Sequence, residues 1–336
     1  MKVKYHECIM SYKNIESYRD VSRNSRFQRV IIWGHRPRFV KTRGIYQVKR
    51  HTHSYIHEGY FRAFAAMGFS TIWLDNFPSA KLDDFKSALV ITEDQADESL
   101  PASPDASYVL HHSSKRKYHD VGAEVLNLAN FTVADTRKMP DGTTVPRSLE
   151  ELDEVTFYDS ASRTLYQPWA TDLLPSEISL DMAISPKRST EHVHYVGTIG
   201  HDGIRSMMRN IRYQSWKLQL RLKVHTNVDG ATAQALLCHS ATAFDIRGNH
   251  HRNVGYIPCR IWKGLSYGLP MTSNSPLLES VFRDRINFKT FEGDFLESAV
   301  EHTLQSERGQ IVDNLSWIRS RHTFVNRARR ILEVLQ

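Results

Sequence analysis

Short apolar strands alternate with helical segments along most of this chain, and this alternation constrains the fold more than any other feature of the sequence. The run Arg29–Trp33 is largely apolar and β-branched, and a glycine turn follows it. Apolar residues at helical spacing occupy residues 54–67, with Ser54 as the predicted N-cap and Gly68 at the stop position. Further short strands are predicted at residues 71–74, 88–92, 108–110 and 124–128. Strands that are apolar throughout are typical of a parallel sheet buried on both faces, so we expect an α/β fold.

A second alternating series begins at His194 and predicts a second domain. Residues 194–200 are expected to form a strand that runs into a glycine turn, and further strands are expected at residues 218–224 and 243–248. Helices are expected at residues 204–213 and 232–239. Between the two series, residues 135–154 are polar with two prolines and predict an exposed insertion, whereas residues 166–175 predict a fixed linker. The sequence therefore predicts two Rossmann-like domains that face a cleft. They span residues 1–175 and 176–316, and a closing helix at residues 317–336 crosses the domain junction.

Charge and composition narrow the classes of partner. The chain has a formal net charge of +7 over 336 residues, but its cations are dispersed and lack the interleaved aromatics of an RNA-binding motif. We expect a basic surface that faces an anionic donor or an anionic membrane, rather than nucleic acid. No apolar run approaches the roughly 20 residues of a membrane span, and the first residues lack a signal-peptide core. Three widely spaced cysteines, Cys8, Cys238 and Cys259, fit reduced thiols, so a cytoplasmic location is expected.

Residues 245–279 carry the strongest functional signal. A strand ends there in a basic loop, and Pro258 stands at the start of a helix that carries Arg260 and Lys263. A helix N-terminus offers unpaired N–H groups and a partial positive charge, so two cations in its first turns predict a cradle for a diphosphate. Glu279, at the start of the next predicted helix, suits a ribose diol.

The sequence of this segment resembles a known family. The run GYIPCRIWKGLSYGLPMTSN at residues 255–274, followed by Glu279, is similar to the donor-binding segment of GT-B glycosyltransferases. The run RHTFVNRARRILEVL at residues 321–335 resembles the closing helix of bacterial and viral group-1-type members. The resemblance covers residues 193–336, and it implies that Arg260 and Lys263 contact the donor phosphates and Glu279 the ribose. A basic GNHHRN loop stands where the common group-1 pattern has a glutamate, so retention or inversion of the sugar stays open.

Other donor contacts are expected where the strands of the second domain end, because ligands of parallel sheets bind beyond the carboxyl ends of the strands. There Gly197 permits close approach of the backbone, and Thr198 offers a hydroxyl. Arg247, Tyr256 and Ile257 complete the predicted donor set. The second domain is then the nucleotide-sugar side, and the first is the acceptor side.

The first domain is expected to supply a base if the enzyme inverts, since the acceptor hydroxyl must lose its proton as it attacks the anomeric carbon. Glu93, which follows the apolar strand at residues 88–92, is the first candidate. His112 and His35, at the ends of two other predicted strands, are the alternatives.

Histidines in the segment HTHSYIH, namely His51, His53 and His57, raise the question of a metal. The segment lacks a third ligand and an adjacent glutamate at zincin spacing, and a D-x-D triplet is absent from the chain, so we expect no metal and no cofactor. The predicted function is metal-independent transfer of a sugar from a UDP- or GDP-type donor to a glycan or to a lipid- or protein-linked acceptor, with peripheral membrane association. Two alternatives stay open: a nucleotide-sugar epimerase of the same fold, and a non-catalytic protein that binds nucleotide, glycan or nucleic acid.

Overall fold

The structure is a computed structural model of the chain. It describes residues 21–42, 45–51, 53–74, 85–93, 100–111, 116–133, 156–183, 191–199 and 203–336. The predicted insertion at residues 135–154 lies outside the described residues.

The first half of the chain forms a mostly parallel sheet. Its elements are β1 (Arg29–Trp33), β2 (Arg38–Thr42), β3 (Ile45–Lys49), α1 (Ser54–Ala66), β4 (Ser70–Leu74), β5 (Ala88–Glu93), β6 (Ser107–His111), α2 (Arg116–Asp120), β7 (Glu124–Ala129), β8 (Phe157–Asp159) and β9 (Thr164–Tyr166). Seven strands pair in the order β4-β1-β5-β6-β7-β9-β8, and only the β8–β9 pair is antiparallel. The hairpin β2–β3 stands apart from this sheet. The predicted parallel sheet is confirmed, and every residue of β6 is buried, as the apolar strands required.

The second half continues the alternation. Its elements are β10 (His192–Val196), α3 (Ile204–Lys217), β11 (Arg221–His225), α4 (Gly230–Cys238), β12 (Ala243–Asp245), α5 (Asn249–Val254), α6 (Cys259–Ser266), β13 (Met271–Ser273), α7 (Glu279–Phe282), β14 (Asn287–Phe288), α8 (Phe295–Gln305), α9 (Arg308–Arg321) and α10 (Phe324–Leu335). Strands β10 and β11 pair in parallel, and β12, β13 and β14 form a second parallel group. Consequently the carboxyl ends of β10 and β12 are where a ligand of this half is expected.

Three local predictions were wrong. The predicted N-cap Ser54 lies inside α1, because its Oγ donates to the carbonyl of His35 at 2.6 Å and His53 takes the cap position. The polar stretch after β12 forms the short helix α5 rather than a loop. Strand β11 begins three residues later than expected, because α3 runs to Lys217 and Gln219 turns the chain with a φ of 57°.

The single closing helix predicted at residues 317–336 is instead the end of α9 followed by α10. The helix is interrupted at Thr323. The backbone N–H and the hydroxyl of Thr323 both donate to Asn326 Oδ1, and this cap starts a new helix. Helix α9 places Leu315 and Ile318 in the core of the second half, while Phe324 begins the face of α10 that packs in the core of the first half. The terminal segment therefore contacts both halves.

The longest helices among the described residues have 14 residues. None of the described helices is both long enough and apolar enough to cross a bilayer.

Candidate active site

A buried carboxylate with two arginines marks the carboxyl end of β12. Asp245 is fully buried, and it accepts from Arg247 Nε at 2.9 Å and from Arg260 Nη1 at 2.6 Å. Burial opposes ionisation of this carboxyl, but the two guanidinium groups hold the pKa of Asp245 below its usual range. We call Asp245, Arg247 and Arg260 the arginine cluster. Because two cations share one anion, the cluster retains one net positive charge, and its arginine side chains are still 14% exposed.

Arg260 reaches the end of the neighbouring strand β10. Its Nε donates to the Val196 carbonyl at 3.0 Å, and its guanidinium lies 4.4 Å from the centre of the Tyr195 ring. A Cβ on Gly197 would lie 2.1 Å from Arg260 Nη2, so a side chain there would displace the guanidinium from its present position. The sequence predicted that Gly197 permits close approach of the backbone to a donor. In the structure the Arg260 side chain lies beside Gly197, and a donor contact of this glycine stays a prediction. Arg260 Nη2 has no hydrogen-bond partner within the described part of the chain, so it can donate to a ligand.

The loop after β13 completes this edge. Asn274 Oδ1 accepts from the Arg247 N–H at 2.7 Å, and its Nδ2 donates to the Arg247 carbonyl at 3.0 Å, which fixes the backbone of the arginine cluster. The hydroxyls of Ser275 and Tyr195 are enclosed without a hydrogen-bond partner among the residues described here. Sequence reasoning missed Asp245, Asn274 and Tyr195. Asp245 stands inside the apolar run AFDI, and a carboxylate buried in such a run needs a cation as its partner. This position could have indicated Asp245 from the sequence.

Lys263 lies in a different environment from Arg260. Its Nζ donates to Asp172 Oδ2 at 2.8 Å, the Tyr267 hydroxyl donates to Asp172 Oδ1 at 2.8 Å, and the ammonium lies 5.0 Å from the centre of the Tyr55 ring. Burial disfavours the charged form of both side chains, but the attraction between the two opposite charges is stronger. The pKa of Asp172 is therefore lowered and that of Lys263 is raised. The two cations predicted to form one cradle therefore each have their own carboxylate, and Lys263 ties α6 to the linker and to α1.

We expect Lys263→Met to destabilise the fold by about 3–5 kcal/mol, because it leaves the Asp172 carboxylate buried without its cation. Urea unfolding measures this loss. The matched control is Lys289→Met, which removes an exposed ion pair with Asp294 and should leave the urea midpoint almost unchanged, because solvent screens that pair. If Lys263→Met abolished transfer and left stability unchanged, the lysine would instead act on the donor phosphates.

The other predicted donor residues differ in exposure. Tyr256 is half-buried with its ring centre 5.7 Å from the Arg247 guanidinium carbon, and burial raises its pKa above the usual range. Ile257 is 1% exposed and its side chain packs in the core of the second half, so its predicted donor contact is left to its backbone. Thr198 after β10 and Glu279 at the start of α7 are exposed. Their donor contacts stay predictions.

Of the three candidate bases, the structure describes one side chain. Glu93 is the last residue of β5 and pairs with His111 of β6, which places its backbone at the carboxyl edge of the first sheet. His112 lies outside the described residues. His35 follows β1 with a φ of 55°, the left-handed region that few non-glycine residues adopt. The identity of the base stays a prediction.

His35 belongs to a group of histidines that the sequence alone did not assemble. Its ring stacks on that of His51 at 4.0 Å, and one ring nitrogen from each of His35, His51 and His53 lies within 4.8 Å of the other two. We call these three residues the histidine cluster. His57 instead bonds the Gly34 carbonyl through Nδ1 at 2.7 Å. The third imidazole of this cluster thus comes from the end of β1, outside the segment HTHSYIH.

The histidine cluster lies where the two halves of the chain meet. Next to His51, the Arg50 N–H donates to Asn227 Oδ1 at 2.9 Å, and Asn227 Nδ2 donates to the Val48 carbonyl at 2.7 Å. Asn227 follows β11, whereas Val48 belongs to β3. These bonds join the carboxyl end of a second-half strand to the hairpin that precedes α1.

A second histidine pair lies on the β10–β11 sheet. His194 Nδ1 and His225 Nε2 are 2.9 Å apart, so they share one proton in a hydrogen bond between neutral rings. Burial lowers the pKa of His194 to about 4, with further contributions from the charges of His225 and Lys223. The pKa of His225 is also lowered, by burial and then by Lys223.

We therefore expect stability to fall as the pH drops from about 6.5 to 4. His194 stays neutral in the folded chain over this range, whereas the unfolded chain binds the proton, so protons favour unfolding. Melting temperatures across this range should fall less steeply for His194→Gln than for the wild type. His119→Gln, which alters an exposed histidine on α2, is the control. Equal slopes for all three proteins would contradict this assignment.

Comparison with known proteins shows the fold. AviGT4, a glycosyltransferase involved in avilamycin A biosynthesis, superimposes with a TM-score of 0.52 over 91% of this chain and 96% of its own, at 9% sequence identity. A conserved domain protein from Vibrio cholerae O1 biovar El Tor aligns over 84% of this chain and 87% of its own at 10% identity. Its TM-score of 0.22 is too low to indicate a shared fold. No family model and no curated protein matches the sequence. The chain thus has a glycosyltransferase-like α/β fold.

Proposed function

We propose that this protein is a glycosyltransferase that moves a sugar from a nucleotide-diphosphate donor to a hydroxyl acceptor. The observation that carries the proposal is the net positive charge of the arginine cluster, held at the adjoining ends of β10 and β12 with Arg260 Nη2 open to a ligand. A diphosphate is the anion that a transferase of this fold must bind, and guanidinium groups suit phosphate oxygens.

The chemistry follows from this placement. The acceptor oxygen forms a bond to the anomeric carbon as the bond from that carbon to the phosphate oxygen breaks. Negative charge then develops on the leaving diphosphate. Arg260 and Arg247, fixed by Asp245, stabilise that charge without reorganising, which is the most effective form of electrostatic catalysis. In an inverting reaction the proton of the acceptor goes to a base, for which Glu93, then His112 and His35, are the candidates.

We propose a GT-B arrangement of the two halves, with a UDP- or GDP-type donor on the second half and the acceptor on the first. Fixed cations replace a divalent ion at the leaving group, so transfer needs no metal. Glu279 and Thr198 are proposed donor contacts because both are exposed to solvent.

We further propose a membrane-associated acceptor and a cytoplasmic location, and the outer face of α3 supports the first of these. Trp216 and Tyr213 are 72% and 55% exposed there, and the arginines at positions 205, 209 and 212 are exposed beside them. Aromatic rings next to cations suit the boundary of an anionic bilayer. A lipid-linked glycan is the acceptor class that such a surface favours.

Thermal-shift measurements with UDP-, GDP-, CMP- and dTDP-sugars test the donor assignment. A nucleotide at one hundred times its dissociation constant should stabilise the protein by about 2.7 kcal/mol. One nucleotide should raise the melting temperature more than the others do. The same donor, incubated with EDTA and an acceptor mixture, should still release nucleoside diphosphate. If no nucleotide shifts the melting temperature, the proposal fails. If a nucleotide binds but no sugar is transferred, the chain is a binding protein. Rescue of transfer by manganese after EDTA treatment would overturn the metal-free mechanism.

A further inference from the structure

We propose that the histidine cluster is a zinc site, formed by one imidazole nitrogen from each of His35, His51 and His53. The proposal does not rest on glycosyl transfer, since the cluster lies on the first half of the chain and the arginine cluster on the second.

The distances between the nitrogens suit a transition metal. One nitrogen from each residue lies within 4.8 Å of the other two. Zinc bound by imidazoles at about 2.0–2.1 Å in a tetrahedron needs nitrogens roughly 3.3 Å apart. Each ring nitrogen would have to move by at most about one ångström to reach that spacing. This movement would open the stack that the rings of His35 and His51 form at 4.0 Å.

A polar atom in the cluster is left without compensation. His35 Nε2 is enclosed and has no hydrogen-bond partner among the described residues. A buried polar atom of this kind calls for an explanation, and an ion is one of the few available. His51 Nδ1 accepts from the His53 N–H at 3.3 Å, a long bond that a metal can displace.

The backbone around the cluster is held in place rather than free to relax. His35 has a φ of 55°, in the left-handed region that residues other than glycine rarely adopt, and such conformations concentrate at functional sites. The Ser54 hydroxyl holds this conformation by donating to the His35 carbonyl at 2.6 Å and accepting from the His51 N–H at 2.9 Å. A single serine therefore fixes both segments that carry the ligands.

The chemistry of the donor set selects the ion. Three neutral imidazoles suit zinc, and also copper, nickel and cobalt, whereas magnesium and calcium require oxygen ligands. Three protein ligands leave a fourth position open for water or a substrate oxygen. Because His51 is exposed, that position faces solvent at the junction of the two halves. With His35 on the ion, the candidate bases are reduced to Glu93 and His112.

Two substitutions test the site without disturbing the backbone. His35→Asn keeps a residue that tolerates the left-handed conformation, and His53→Asn keeps a good N-cap for α1. The full chain, stripped of metal, is titrated with zinc by calorimetry and with cobalt by visible absorption. We expect one equivalent of zinc to bind, the bands of tetrahedral cobalt to appear, and the melting temperature to rise by several degrees. Each variant should lose at least tenfold in zinc affinity and should lose the cobalt bands.

His194→Gln is the control, because the pair of His194 and His225 could bind zinc by itself. Its affinity for zinc should equal that of the wild type. The proposal is overturned if no saturable binding occurs, if both asparagine variants bind zinc as the wild type does, or if binding is lost with His194→Gln instead. None of these outcomes depends on a nucleotide or an acceptor.

Discussion

Replacing Arg260 with alanine should lower kcat/KM for sugar transfer at least tenfold. A charge-assisted hydrogen bond to a phosphate is worth about 1.5–3 kcal/mol, and a loss of 1.4 kcal/mol is already tenfold. The substitution also leaves Asp245 and Arg247 as a neutral pair, so the arginine cluster no longer attracts the anion. Because charge builds up on the diphosphate as the bond breaks, turnover should fall more than donor affinity.

Arg308→Ala is the matched control, since Arg308 is exposed at the start of α9 and its loss removes the same charge away from the strand ends. Circular-dichroism melts must accompany the kinetics, because Arg260 also bonds the Val196 carbonyl inside the fold. Donor affinity of the wild type should weaken as salt is raised, and that of Arg260→Ala should weaken less. Wild-type kinetics in the folded variant would remove the arginine cluster from the mechanism.

The sheet of the first half could be predicted from the sequence because its signal is local. Strand β1 has the predicted bounds Arg29–Trp33, and β5 and β7 extend the predicted runs by one residue each. A short apolar run next to a glycine turn specifies a buried strand without information from the rest of the chain.

Where the local signal competes with tertiary contacts, the predictions were less accurate. Ser54 has the composition of an N-cap, but its hydroxyl serves the His35 carbonyl, 19 positions earlier. The apolar spacing of residues 317–336 continues through a helix break, because the break depends on the side chain of Asn326 and on cores from both halves. Periodicity shows which face is buried, but not where a helix stops.

The candidate site was predicted in part for the same reason. Arg260 was singled out from its place in the first turn of the helix after Pro258, and Arg247 from its position after an apolar strand. The sequence does not show which cation pairs with which carboxylate. Lys263 pairs with Asp172, 91 positions away, and spacing within the segment does not reveal this distant partner. The histidine cluster joins the end of β1 to the turn before α1, so spacing within one segment could not reveal it.

The packing of α10 on α1 is expected to contribute strongly to the stability of the protein. Phe324 is 2% exposed, and its ring lies so close to Gly59 that a Cβ there would sit 2.2 Å from the ring carbon Cδ2. The ring of Tyr60 meets Phe324 edge-on at 5.0 Å. Phe324→Ala should therefore destabilise the protein by about 3–5 kcal/mol, a large part of the 5–15 kcal/mol typical of a whole protein.

Gly59→Ala tests the same contact from the other side. The added methyl group meets the Phe324 ring directly, so we expect a loss of about 1–3 kcal/mol from overpacking. Combining it with Phe324→Leu should cost less than the two single losses added together, because the smaller side chain makes room for the methyl group. Leu304→Ala, at a side chain 77% exposed on α8, should change stability by less than about 0.5 kcal/mol. Urea unfolding of the five variants measures these energies. If the losses of Gly59→Ala and Phe324→Leu simply add, the two residues do not pack as described, and α10 does not hold the first half of the chain through this contact.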